Sequence, residues 1–173
     1  MPVSRQESRS VFEVEIIEED GDWPELTGLT MDIEHAAAAL AEAMDSPLPG
    51  EFSVALSSDE YVALLNGRFR GQPKPTNVLS FPPGAGAASS YLGDIVLARN
   101  TVEREAREQG VPLAHHVQHL VVHGMLHLLG YDHDTADAAE SMEALEIKIL
   151  SKLGVANPYT GALETGTNGV TGL

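Results

Sequence analysis

The sequence predicts an α+β fold: a single domain in which a mixed β-sheet of about four strands packs with helices, the central helix carrying metal ligands. Three observations predict it. The chain of 173 residues has the length of one domain and enough surface to bury for a core without staples. Segments of apolar alternation are interleaved with segments of three-to-four apolar spacing, so strands and helices share one core. No internal repeat and no composition break points to a second domain.

Residues 1–9 are polar and read as a flexible N-terminus, 10–154 as the single domain, and 155–173 as a flexible Gly/Thr-rich tail. From Val11 the run VFEVEII alternates, placing Phe12, Val14 and Ile16 on one face of a half-buried strand. EEDGDWPELTG reads as a loop. TMDIEHAAAALAEAM, residues 30–44, consists of strong helix formers and stops before Pro47. After the turn PLPGE, FSVALS is a second strand. In SSDEYVALLNGRFR, Ser58 or Asp59 can accept the free N–H groups of a helix on which Val62, Leu65 and Phe69 share a face. RGQPKPT is a loop, NVLSF a short strand, and PPGAGAASS a flexible loop. YLGDIVLA is a strand in which Gly93 invites a bulge. Asn100 caps a short helix, TVEREAREQ, closed by Gly110. Residues 113–129 form a longer helix ended by Gly130, which tolerates a positive φ. Thr135 starts a last helix with Met142, Leu145, Ile149 and Lys152 at helical spacing, and Gly154 stops it.

Composition narrows the chemistry. There is no cysteine, so disulfides and thiolate ligands are excluded and a transition metal must rely on His, Asp or Glu. No segment is apolar for long enough to span a bilayer, and MPVSRQESRS lacks the apolar stretch of a secretory signal, so the cytoplasm is the expected compartment. The formal net charge of −16 argues against non-specific nucleic-acid binding. The charge is uneven, however. Residues 61–93 contain no acidic side chain and carry Arg68, Arg70 and Lys74. Such a loop can hold a phosphate on an acidic body, because exposed charges beyond about 8–10 Å are largely screened at physiological salt.

The richest stretch is HGMLHLLGYDH, residues 123–133. His123 and His127, four apart on a helix, are separated by about 40° of rotation and project from one face. Gly130 ends the helix and lets the chain bring His133 back toward them. Three neutral imidazoles leave one position open on a tetrahedral ion, the pattern of a catalytic zinc. The competing set His119, His123 and His127 would need three successive helical turns to converge on one ion, which is poor geometry. His35, His115 and His116 read as ordinary histidines. Asp132 and Asp134 either orient a ligand histidine or cap the turn, with Asp132 the readier candidate for the first role.

Zinc peptidases with this histidine spacing carry a glutamate general base directly after the first histidine, and here that residue is Gly124. Peptide hydrolysis by the usual route is therefore disfavoured. Phosphodiester cleavage asks less of a carboxylate base, since its developing charge lies on phosphate oxygens that a cation and an arginine stabilise directly. Arg70, and Lys74 between Pro73 and Pro75, supply cations; the planar fork of arginine suits phosphate oxygens.

HGMLHLLGYDH, preceded by LNGRFRGQPKPTNVLSFP and LGDIVLA, resembles the YbeY family of bacterial metal-dependent endoribonucleases over residues 65–150. The resemblance implies an α+β fold with one zinc held by His123, His127 and His133, and implicates Arg70 in RNA cleavage. Together with the cationic loop, this makes Arg70 and His123 the expected catalytic residues and Arg70 and Lys74 the expected substrate-binding ones. It implies single-strand-specific cleavage in rRNA processing, namely 16S rRNA 3′-end maturation and ribosome quality control. The implied partners are rRNA and the small ribosomal subunit or its proteins, with no DNA and no membrane. This sequence departs from the family's usual pattern in GQPKP, where the loop is commonly more basic, and in the glycine-rich PPGAGAASS. A second reading is a non-catalytic, zinc-containing ribosome-assembly factor that binds rRNA or a ribosomal protein. Histidine-only ligation also suits nickel or copper, and either water or the RNA 2′-hydroxyl can be the attacking group.

Overall fold

The computed structural model describes residues 12–19, 22–23, 26–44 and 49–160. Residues 1–9, Pro47 and the tail beyond Thr160, each given a role above, lie outside them. Alternation in the first apolar run becomes β1 (Phe12–Glu18), with Phe12, Val14 and Ile16 turned inward. The chain continues through α1 (Leu26–Met44), β2 (Gly50–Ser57), α2 (Asp59–Arg70), β3 (Val78–Phe81), β4 (Tyr91–Ala98), α3 (Arg99–Gln109), α4 (Leu113–Leu128) and α5 (Ala136–Lys152). The four strands form one sheet in the order β1-β2-β4-β3. β2 pairs in parallel with β1 and β4, and β3 runs antiparallel to β4 along the edge. The expected mixed sheet of an α+β domain is present.

One face of the sheet, carrying Phe52, Val54, Leu56, Ile95 and Leu97, packs against α1 and α4, and α5 packs on these two helices to complete the main core. The other face buries Val96, Ala98 and Leu79 under Val62 of α2. α4 lies between these layers and the cleft described below: Val117, Val121, Val122 and Met125 are fully buried, while His123 and His127 lie on its half-buried flank.

Local expectations held where local chemistry decides. Ser58 caps α2 by accepting the Tyr61 N–H, and Thr135 caps α5 by accepting that of Ala138. Gly110, Gly130 and Gly154 all take positive φ after their helices. Leu92 is the extra residue of a bulge, and Gly93 beside it has φ 138°. A Cβ there would stand 2.6 Å from the Phe81 carbonyl oxygen, so only glycine fits.

Four expectations need correction. α1 begins at Leu26, earlier than Thr30, because Leu29 is buried and draws the first turn onto the core. Asn100 does not cap α3: Ala98 holds that position, and the Asp59 carboxylate of α2 reaches across to take the Thr101 N–H at 3.1 Å and its hydroxyl at 2.6 Å. Phe69 shares no buried face with Val62; it is 60% exposed, because β3 is the edge of the sheet and no further strand among the described residues covers the last turn of α2. Residues 155–160, expected in the tail, fold back on the domain, with Val155 buried and its N–H bonded to the Leu150 carbonyl.

Candidate metal centre

α4 presents His123 and His127 one turn apart, with ring centroids 4.6 Å from each other. The helix ends at Leu128, and Tyr131 donates its N–H back to the Leu126 carbonyl at 3.0 Å. This reversal, made possible by Gly130, sets the His133 ring 5.0 Å from that of His127 and 5.6 Å from that of His123. One ring nitrogen from each of the three histidines lies within 4.8 Å of the others, so the trio can hold one metal ion. Burial, followed by the neighbouring His123 and His133, lowers the pKa of His127, which favours the neutral imidazole that a metal requires. His119 stays outside the set: its ring is 6.4 Å from that of His123.

Behind His123 lies a residue that sequence reasoning missed. Glu146 of α5 is a fully buried carboxylate. Its Oε2 accepts the His123 Nδ1–H at 2.5 Å, while Oε1 accepts the Tyr159 hydroxyl and stands 3.6 Å from His119 Nε2. Burial by itself would raise the Glu146 pKa, but His119, His123 and Tyr159 outweigh it and hold the carboxyl at about 2. Burial and the adjoining carboxylate raise that of Tyr159. With Nδ1 committed to Glu146, Nε2 is the nitrogen that His123 has left for a metal, an arrangement common around ligand histidines. A signal was there to be read: Glu146 falls on the same α5 stripe as Met142 and Ile149, an acid at an apolar position. Asp132 does not fill this role. Its carboxylate accepts the Asp134 N–H at 3.2 Å and caps the turn.

Gly124 also acquires a physical reason. A Cβ at this position would stand 3.2 Å from the Ile95 side chain and 3.3 Å from Ser80 Oγ. α4 is pressed onto the sheet here, and a glutamate would have to enter that contact. The close approach of α4 to the sheet thus suits glycine at this position, where a larger residue would need Ile95 and Ser80 to give way.

The cationic residues meet the histidines across one open cleft of about 670 Å³. Its lining includes Arg70 and Lys74, residues 78–80 of β3, and His119, His123, His127, His133 and Tyr159. Arg70 is held in place, its Nη2 donating to the Ser80 carbonyl at 2.9 Å and its guanidinium carbon lying 5.6 Å from the centre of the Phe81 ring. The Lys74 loop is pinned by the buried Asn66, whose amide donates to the Lys74 carbonyl at 2.9 Å. His116, read as ordinary, is a buried histidine bonded to Glu105.

An α+β domain that offers three imidazoles to one ion in an open, cation-lined cleft, with glycine and not glutamate after the first of them, has the build of a metallohydrolase outside the glutamate-dependent peptidases. Comparison with known proteins supplies the family. The family model described as Endoribonuclease YbeY matches residues 17–154. Two proteins named Endoribonuclease YbeY are similar to the chain. One, from Maricaulis maris, is 46% identical over 84% of this chain and 91% of its own length. Another, from Allorhizobium ampelinum, is 49% identical over 84% of this chain and 92% of its own length. A solution structure of a Thermotoga maritima protein superposes with a TM-score of 0.51 at 26% identity, over 82% of this chain and 91% of that one. The chain belongs to the YbeY endoribonuclease family.

Proposed function

We propose that this protein is a zinc-dependent endoribonuclease that cleaves single-stranded RNA in the maturation of 16S rRNA 3′ ends and in ribosome quality control. The observation that carries the reading is the single cleft shared by the histidine trio, Arg70 and Lys74. His123, His127 and His133 would hold the ion, which supplies Lewis acidity and activates water when bound. A structural zinc is closed by a fourth protein ligand; among the described residues the group has three members, as a catalytic site requires. Arg70 has one nitrogen bound to Ser80 and directs its remaining donors at phosphate oxygens, where charge builds during cleavage. Lys74 adds a point charge for the neighbouring phosphate. Glu146 keeps the His123 ring in one tautomer and orientation, and Tyr159 anchors Glu146 in turn.

No helix among the described residues is long and apolar enough to cross a membrane. Work on rRNA precursors beside the small ribosomal subunit fits a cytoplasmic protein. The test is cleavage of a single-stranded rRNA fragment by zinc-loaded protein. His123→Ala and Arg70→Ala should each lose about a hundredfold or more in rate. Cleavage by both variants at the wild-type rate would defeat the catalytic assignment.

A further inference from the structure

Phe69 is the most exposed large apolar side chain among the described residues, at 60%. It occupies the last turn of α2, directly before Arg70, and its ring meets that of Phe81 edge-on at 5.4 Å and 63°. The Arg70 guanidinium lies over the same Phe81 ring. Two aromatic rings and a guanidinium thus form one surface beside the cleft, within residues 61–93 that carry no acid. Phe81 directly follows Ser80, whose carbonyl holds Arg70 and whose hydroxyl is close to Gly124 on the metal-bearing helix. Successive residues of a strand face opposite sides of the sheet. The short edge strand β3 therefore carries the metal side on one residue and the aromatic side on the next.

We propose that Phe69, backed by Phe81, is the stacking platform for an unpaired nucleobase of the RNA strand whose phosphates reach Arg70 and Lys74. The proposal rests on the endoribonuclease reading. An exposed ring beside a guanidinium suits a ligand that joins a flat π-face to an anion, and a nucleotide is that ligand. In a duplex each base face is already covered by its neighbours, so the platform accepts single strands and rejects paired ones. A protein partner docking on α2 would instead cover Leu64 and Tyr61, which are also exposed.

The experiment uses metal-loaded protein and short single-stranded RNAs in which 2-aminopurine replaces one base at a time across the cleavage site. At one position fluorescence should fall on binding to wild type and to Phe69→Trp but not to Phe69→Ala. Phe69→Ala should raise KM roughly tenfold with kcat nearly unchanged, as expected for the loss of one stacked base. Removing the base at that position should cost the wild type the same factor and Phe69→Ala nothing more. Phe69→Ala with an unchanged KM would overturn the platform, and so would an equal loss from Leu64→Ala, which would mark a broad apolar docking surface. If the wild type cleaves RNA and Phe69→Ala matches it, the platform alone falls. If the wild type neither binds nor cleaves single strands, the endoribonuclease reading falls with it.

Discussion

Glu146 shows how a single residue joins the metal centre to the core. A buried carboxylate survives in a folded protein only if its charge is met by donors, and here His123 and the Tyr159 hydroxyl meet it. Replacing Glu146 with glutamine keeps the shape but removes the charge that fixes the His123 ring. Zinc affinity measured by competition with a chelator should drop about 10- to 100-fold, the usual effect of losing such a partner. An affinity equal to wild type would mean that packing alone orients the ring. Gly124 is the counterpart on the same helix. Gly124→Glu, which writes the peptidase motif into the chain, should destabilise the fold by on the order of 3 kcal/mol in denaturant melts, through overpacking and the burial of a charge. It should hydrolyse no peptide, since the new side chain would start out in tight contact with Ile95 and Ser80 and could not sit freely beside an ion.

Among the elements, polar links tie α3 to its neighbours. Glu105 Oε1 accepts the Asn77 amide just before β3 at 3.0 Å and the His116 Nε2–H of α4 at 2.8 Å. Burial alone would raise the Glu105 pKa, but the bonds from His116 and Asn77 hold it below its ordinary value of 4.5. A carboxyl depressed in the folded state stabilises the fold above its unfolded pKa, and the contribution fades as pH falls through the folded one. The stability difference between wild type and Glu105→Gln should therefore be full at neutral pH and shrink on acidification below about 4.5. A difference independent of pH would show that the carboxylate's charge plays no part in joining α3, α4 and the strand that borders the cleft.

For the molecule as a whole, the contrast is between a net charge of −16 and a cleft wall that carries Arg70 and Lys74. If RNA enters the cleft as proposed, the acidic body should disfavour its binding elsewhere, so binding should be weak but selective for the site. Its salt dependence should count the few cations engaged. Removing Arg70 should flatten the plot of log affinity against log salt by about 0.7, the value for one phosphate contact on a single strand. An unchanged slope would place the RNA elsewhere on the surface.

The histidine trio that could share one ion was legible because its spacing is local: two histidines one helical turn apart, a glycine that ends the helix, and a third histidine just past the bend. Strand alternation, the cationic loop and the glycine bulge are local in the same sense, and each appeared where the pattern placed it. Glu146, Tyr159 and the Asp59–Thr101 link join residues 13 to 42 positions apart, and spacing along the chain says nothing of them. The exposure of Phe69 is of this kind too, for its own helix offers it to the core and only the position of β3 at the sheet edge leaves it in solvent. Short-range geometry constrains which side chains can share an ion. Which buried charge stands behind them, and which apolar ring remains uncovered, depends on how separate elements pack.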